Sequence, residues 1–167
     1  KEVNFFSYKD LKSRNLYYDE WLCSSLEKYK KSFQNKKYAA YNCDASVSYF
    51  DSTSAPNNIK KYDNKAKIIV VLRDPVERAI SHYEMDKRLG YTSKDFIEII
   101  DSPNSEEYRQ TVGLSLYFKK VNRYIELFGK ENVHIIPFDS LKNSYSQTLQ
   151  EMCNFLEINW QEDPNYN

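Results

Sequence analysis

The stretch VVLRDPVERAISHY, residues Val70–Tyr83, joins an apolar strand to a helix through an Asp-Pro turn. The Asp-Pro pair suits the N-cap and the first position of a helix, and Glu77 is placed to complete a capping box. Arg73 is then the last strand residue, at the carboxyl edge of the sheet, where open α/β folds bind ligands. Ser81 follows about two turns into the helix.

This spacing allows Arg73 and Ser81 to hold one anion from two sides. A contact between a guanidinium and a phosphate here would contribute about 1.5–3 kcal/mol. The stretch has no glycine, so it is not a Gly-rich phosphate loop. A plainer interpretation stays open, in which Arg73 pairs with Asp74 or Glu77 and Ser81 bonds to its own backbone.

The composition excludes several classes of protein. The 167 residues suffice for one domain with a buried core, and the 24 basic and 24 acidic residues cancel, which argues against nucleic acid as a partner. No apolar run approaches the ~20 residues of a membrane span. The widely spaced Cys23, Cys43 and Cys153 predict free thiols, and no metal site is expected. Unpaired cysteines favour a reducing compartment such as a bacterial cytoplasm, with the Golgi lumen as the alternative for a eukaryotic chain.

Short apolar runs alternate with helical periodicity, which predicts an α/β fold with a parallel sheet and helices on both faces. The predicted strands are Val3–Phe6, Tyr38–Asn42, Ile68–Leu72 and Val133–Phe138. Besides the helix after Asp74, the predicted helices are Tyr18–Phe33, a short one near Ile59–Tyr62, Leu114–Phe128 with Gly129 as its C-cap, and Ser144–Leu156. No internal repeat is present, and residues 1–167 are interpreted as a single domain.

The string RDPVERAISHY, within Val70–Tyr83, resembles the 3′-phosphate-binding motif of sulfotransferases that use 3′-phosphoadenosine 5′-phosphosulfate (PAPS). The closest likeness is to the carbohydrate branch, which includes heparan-type and bacterial members. In that family the arginine and the serine of the motif hold the 3′-phosphate, so the resemblance implies this role for Arg73 and Ser81. It also implies a three-layer, P-loop-like fold, PAPS as the sulfuryl donor and no metal.

Three further stretches match the family in order and spacing, so the resemblance covers most of the chain. KEVNFF (Lys1–Phe6) is similar to the strand whose glutamate is the family's proposed general base, which implies catalytic roles for Glu2 and the adjacent Lys1. DASVSYF (Asp44–Phe50) and the unit Gly113–Leu141 resemble later family segments. The resemblance places four residues toward the acceptor substrate: Asn4, Asp44, Ser46 and Tyr49.

The chain also departs from the family pattern. The turn that binds the 5′-phosphosulfate is expected upstream of Lys1, and the later Lys/Gly-rich loop has no counterpart before Asn167. Asn4 and Ala45 stand where heparan-type members have a histidine and a lysine. For this reason heparan sulfate is not carried over as the substrate.

The leading hypothesis is a PAPS-dependent sulfotransferase that acts on a hydroxyl or an amine of a carbohydrate or other small acceptor. One alternative is a catalytically inactive sulfotransferase-like module that binds a nucleotide or a glycan, and another is a relative of P-loop kinases. Arg78 is predicted to pair with an acid such as Asp74, His82 to lie on the helix surface and His134 to be structural. The acceptor's identity, its regiochemistry and the oligomeric state are left open by the sequence.

Overall fold

The computed structural model describes residues 2–13, 23–33 and 40–160. Two strands are present in these ranges, β1 (Ile68–Leu72) and β2 (Val133–Pro137). The helices are α1 (Tyr8–Ser13), α2 (Leu26–Lys31), α3 (Ala55–Tyr62), α4 (Pro75–Leu89), α5 (Phe96–Ile100), α6 (Glu106–Thr111), α7 (Phe118–Phe128), α8 (Phe138–Asn143) and α9 (Tyr145–Phe155). Short 3₁₀ helices lie at Val47–Tyr49, Gly113–Ser115 and Lys130–Asn132.

β1 and β2 pair in parallel, in a register that places Ile68 opposite Val133 and Leu72 opposite Pro137. The chain between them carries α4 to α7, because parallel strands need a long crossover connection. Both strands were predicted, and the sequence boundaries are confirmed except at Phe138, which begins α8 and does not extend β2.

The predicted strand at Val3–Phe6 is wrong. Asn4 has a left-handed backbone conformation, with φ of 53°, and the following residues form a turn. The Ser46 hydroxyl accepts hydrogen bonds from the amides of Val3 and Asn4 at 2.9 Å each, so these amides are not available to a strand partner. In the predicted strand Tyr38–Asn42, residues 40–42 are not in a strand and the others lie outside the described residues.

The predicted helices exist but differ at their ends. α2 lies within Tyr18–Phe33, of which residues 18–22 are outside the described ranges. α7 begins at Phe118 and not at Leu114, since Gly113–Ser115 form a separate 3₁₀ turn. Gly129 ends α7 with φ of 83°, as expected for a C-cap glycine. α3 includes the short predicted helix, and α9 is one residue shorter than predicted at each end.

The chain divides into two compact units. The first comprises Lys1–Lys67 with Arg123–Asn132, and the second comprises Ile68–Asn122 with Val133–Asn167. The core of the first unit is aromatic: the Phe6 ring lies 5.1 Å from that of Tyr29 and 5.4 Å from that of Tyr62. The core of the second is mainly aliphatic and includes Val70, Ala79, Ile99, Val133, Ile136 and Cys153. The single-domain interpretation stays a prediction.

Candidate functional site

The turn between β1 and α4 has the local structure that the sequence predicts, with one difference. The Asp74 carboxylate caps α4 by accepting hydrogen bonds from the amides of Val76 and Glu77, both at 2.9 Å. The predicted capping box is not completed, because the Glu77 carboxylate contacts the Arg73 guanidinium instead. Arg73 therefore stands between the end of β1 and the first turn of α4, beside a helix N-terminus whose first amides are already occupied.

The guanidinium of Arg73 is held by Glu77 but keeps donors to spare. Its Nε donates to Glu77 Oε2 at 3.1 Å, and its Nη2 lies 3.1 Å from the same oxygen. A guanidinium has five N–H donors, and this contact with a single carboxylate oxygen leaves several of them for a ligand. The Arg73 side chain is 35% exposed, which leaves those donors open to a ligand.

Arg73 and the exposed Ser81 line one cleft of the second unit, with a volume of about 870 Å³. Such a volume lies at the upper end of the range for small-molecule sites. The structure therefore brings together the two residues predicted to hold a phosphate. The other residues of the lining are Glu77, Arg78, Ile80, His82, Glu84, Met85 and Arg88.

The prediction for Arg78 is not confirmed, since none of its hydrogen-bond partners in the described residues is an acid. Nε donates to Ser115 Oγ at 2.5 Å, and Nη2 donates to the carbonyls of Gln110, at 2.9 Å, and Thr111. Burial lowers the pKa of Arg78, while the nearby Tyr117 opposes that shift. Arg78 thus fixes α4 to the end of α6 and to the 3₁₀ turn that follows it, and its Nε and Nη2 donors are committed to the fold.

The two histidines have different settings. His82 is half-buried, with 19% of its side chain exposed, so it is not the plain surface residue that the sequence predicts. Its Nε2 lies 3.4 Å from Asp86 Oδ2. Burial lowers the pKa of His82, the Asp86 carboxylate opposes this and Arg78 adds to it. The ring of His134 stacks on Phe155 at 5.0 Å, in line with a structural role.

A hydrogen-bond network in the first unit joins three of the residues predicted to face the acceptor. Ser46 Oγ donates to Asp44 Oδ1 at 2.5 Å, and the Tyr49 hydroxyl donates to Asp44 Oδ2 at 2.7 Å. Burial raises the pKa of Tyr49, and the Asp44 carboxylate raises it further. Burial and then the same carboxylate raise the pKa of Tyr29. Asp44 is therefore the common acceptor of this cluster.

The segment with the predicted catalytic residues is fixed by that network. Asn4 is 1% exposed, and its Oδ1 accepts a hydrogen bond from the Ser48 hydroxyl at 2.6 Å. Glu2 is exposed, two residues before Asn4. Lys1, the other predicted catalytic residue, lies outside the described residues. Glu2 belongs to the first unit and the Arg73 cleft to the second.

Sequence reasoning missed the far end of the cleft, which is lined by Glu84, Met85 and Arg88. The signal was present: these residues follow Ser81 at three, four and seven positions, which places them on the same helix face. Their side-chain types match no phosphate-binding pattern, so their spacing alone predicts no role.

Two features are absent from the described residues. In residues 2–13, 23–33 and 40–160, no three His, Cys, Asp or Glu side chains are grouped as ligands for a metal ion. No helix in the same ranges has both the length and the apolar character that crossing a bilayer requires.

The pattern of the sulfotransferase domain family matches residues 1–165 of this chain. The chain belongs to this family. It is 28% identical over 147 residues to the heparan sulfate glucosamine 3-O-sulfotransferase 5 of Mus musculus, a match that covers 84% of the chain and 42% of that protein. It is 24% identical over 140 residues to the bifunctional heparan sulfate N-deacetylase/N-sulfotransferase 1 of Caenorhabditis elegans, covering 80% of the chain and 16% of that relative. The chain thus spans less than half the length of these two curated relatives.

The fold of this sulfotransferase-family chain is also found in a solved structure. The crystal structure of a sulfotransferase from Alicyclobacillus acidocaldarius superposes with a TM-score of 0.80 at 25% identity, covering 99% of this chain and 74% of that one. The predicted α/β fold of the sulfotransferase type is thereby confirmed. Sulfotransferases of this family generally use PAPS as the sulfuryl donor.

Proposed function

We propose that this chain binds PAPS and transfers its sulfuryl group to a hydroxyl or an amine of a carbohydrate acceptor. The observation that carries the proposal is the placement of Arg73 and Ser81 on one cleft. A guanidinium and a hydroxyl both donate hydrogen bonds to phosphate oxygens, and the charged donor gives the stronger ones. Relatives named for sulfation of heparan sulfate support a carbohydrate acceptor.

The donor set of the cleft fits a 3′-phosphate. Arg73 keeps several N–H donors beyond its contact with Glu77, and Ser81 is exposed two turns along α4. The helix amides cannot take part, because Asp74 already accepts from the first of them. The 3′-phosphate is therefore held by side chains, and PAPS supplies the activated sulfuryl group when bound.

In this proposal Glu2 is the general base. Its exposed carboxylate would take the proton from the acceptor hydroxyl or amine, and Lys1 beside it would add a positive charge. Asn4 and Ser46 are 1% and 5% exposed. Their burial favours a role in positioning the Glu2 segment, with Asp44 and Tyr49 completing the support.

Thermal unfolding with and without a nucleotide tests the donor site. We expect 3′-phosphoadenosine 5′-phosphate at a hundred times its dissociation constant to stabilise the chain by about 2.7 kcal/mol, and 5′-AMP at the same concentration to stabilise it much less. Arg73→Ala and Ser81→Ala should each reduce the difference between the nucleotides. Arg109→Ala is the matched control, because Arg109 also pairs with a glutamate on its own helix and does not line the cleft.

Equal shifts with the two nucleotides would refute the donor site. Equal losses in Arg73→Ala and Arg109→Ala would refute the role of Arg73. Incubation with PAPS and an oligosaccharide then separates the enzyme from the inactive module, since only the enzyme releases 3′-phosphoadenosine 5′-phosphate together with a sulfated sugar.

A further inference from the structure

The His82 imidazole belongs to the cleft, and the proposed function does not use it. It lines the cleft together with Arg73 and Ser81, and it directly follows Ser81 on α4. Only 19% of its side chain is exposed. Histidine is the side chain whose charge changes near neutral pH, so its place beside the two phosphate-binding residues bears on how an anion is held there.

One ring nitrogen of His82 is engaged by a carboxylate. Its Nε2 lies 3.4 Å from Oδ2 of Asp86, one helical turn further along α4. Asp86 is 14% exposed and does not line the cleft. An ionised carboxylate only accepts hydrogen bonds, so the neutral imidazole carries its proton on Nε2 and its Nδ1 has a lone pair. In the part of the chain that the structure describes, no hydrogen bond engages Nδ1.

This arrangement links phosphate binding to the protonation of His82. A phosphate oxygen and the Nδ1 lone pair are both acceptors, so they repel each other while the ring is neutral. Protonation converts Nδ1 into a charged donor, which binds a phosphate oxygen more strongly than a neutral donor does. The Asp86 carboxylate then balances the charge of the ring from the Nε2 side.

The fold by itself favours the neutral form of His82. Burial lowers its pKa, the Arg78 guanidinium adds to this, and the Asp86 carboxylate opposes them only in part. A phosphate dianion in the cleft would act in the same direction as Asp86 and favour the imidazolium. The lining itself carries two further positive and two negative side chains: Arg73, Arg88, Glu77 and Glu84.

The elements packed against α4 do not offset such a ligand charge. They are α6 and the 3₁₀ turn Gly113–Ser115. The charged side chains of α6 are engaged in ion pairs, Arg109 with Glu106 and Glu107 with Lys94. The 3₁₀ turn has no ionisable side chain. The protonation of His82 therefore depends on its partners on α4 and on what the cleft binds.

We propose that His82 is a third ligand of the 3′-phosphate, beside Arg73 and Ser81, and that it takes up a proton from solvent as the nucleotide binds. This inference rests on the proposed function and adds a proton-linked residue to its donor site. By linkage, protonation of the ring and binding of the nucleotide strengthen each other. The gain in affinity is fully present below the pKa of His82 in the free chain, and it is lost as the pH rises through the higher pKa in the complex.

Calorimetric titration with 3′-phosphoadenosine 5′-phosphate, in two buffers of different ionisation enthalpy, counts the protons taken up. We expect the wild-type chain to take up a fraction of a proton near neutral pH. His82→Gln, which keeps a donor for Asp86, should take up none, and Asp86→Asn should take up less than the wild type. The ratio of wild-type to His82→Gln affinity should rise about tenfold as the pH falls from about 8 to about 6, the value for one exposed charge-assisted contact. The phosphate's own second pKa of about 6 affects both chains, so the ratio removes its contribution.

His134→Gln serves as the control, because His134 also titrates but stacks on Phe155 and does not line the cleft. The proposal is refuted if the wild-type chain binds the nucleotide without proton uptake, or if His134→Gln loses the uptake as His82→Gln does. Uptake that persists in His82→Gln would also refute it and would point to the carboxylates of Glu77 and Glu84. A wild-type chain that binds no nucleotide refutes the proposed function itself.

Discussion

Replacing Ser46 with alanine tests whether a single hydroxyl holds the segment that carries Glu2. Ser46 Oγ accepts hydrogen bonds from the amides of Val3 and Asn4, both at 2.9 Å, and donates to Asp44 Oδ1 at 2.5 Å. A hydroxyl has two lone pairs and one hydrogen, so the whole capacity of this group is used. If Ser46 is such an anchor, its loss should appear in stability before it appears in substrate affinity.

The magnitude follows from what Ser46→Ala leaves behind. Val3 is 5% exposed and Asn4 is 1% exposed, so two buried amides lose their acceptor. Each unsatisfied buried donor costs about 1–3 kcal/mol, and part of this is offset because the serine hydroxyl no longer has to be dehydrated. We expect the free energy of unfolding to fall by about 3 kcal/mol, a large part of the ~5–15 kcal/mol typical of a folded domain.

Urea unfolding followed by circular dichroism measures this loss, with Ser48→Ala as the control. Within the part of the chain that the structure describes, the Ser48 hydroxyl bonds to side chains only, at 2.6 Å to Asn4 Oδ1 and 2.7 Å to Ser7 Oγ. Its removal should cost about 1 kcal/mol. A loss below 1 kcal/mol for Ser46→Ala, with an unchanged dependence on urea, would show that the two amides find other partners. The anchor role of Ser46 would then be untenable.

Three other predictions concern catalysis, packing and acid stability. Glu2→Gln should lower the initial rate of sulfuryl transfer from PAPS to an oligosaccharide acceptor by about 10²–10⁴-fold at unchanged nucleotide affinity, and a loss below tenfold would contradict the base role. Arg78→Met should lower the free energy of unfolding in urea by about 3 kcal/mol, because three acceptors lose a half-buried charged donor. A loss under 1 kcal/mol would refute the structural role of Arg78. Partial burial raises the pKa of Asp10, but hydrogen bonds from Ser52 and its neighbours outweigh this and hold it below 3.8. The stability that these hydrogen bonds contribute is fully present above the carboxyl's ordinary pKa of 3.8 and is lost as the pH falls through the lowered pKa. Asp10→Asn should therefore flatten the acid side of a curve of unfolding free energy against pH. An unchanged curve would count against this account.

The parts of the site that depend on local sequence were predictable. The Asp-Pro cap of α4 and the two-turn separation of Arg73 from Ser81 are properties of one short segment, and the structure places both residues on one cleft. The helical spacing also places Glu84 and Arg88 on the same face as Ser81, although only the shape of the cleft shows that they line it.

The contacts that were not predicted join distant parts of the chain. Arg78 is 37 residues from Ser115 in sequence, and Asn4 is 42 residues from Ser46. In each case a polar side chain satisfies a group that the local pattern assigned elsewhere: an acid for Arg78, and a strand partner for the amide of Asn4. Periodicity records how one element is built and carries no information about which distant hydroxyl or carbonyl will meet it.

Arg73 shows how a plain structural contact and a functional one can coexist. The sequence left open whether Arg73 pairs with Glu77 or binds a phosphate, and the structure has the pair. That pair engages only part of the guanidinium's five N–H donors, and it restrains a side chain that otherwise has about 2 kcal/mol of rotamer entropy to lose on binding. Glu77 therefore pre-organises the remaining donors for the ligand. Glu77→Gln, which keeps a hydrogen-bond acceptor but removes the charge, should retain more nucleotide affinity than Glu77→Ala in the same thermal assay, whereas equal affinities in the two variants would mean that Arg73 needs no such support.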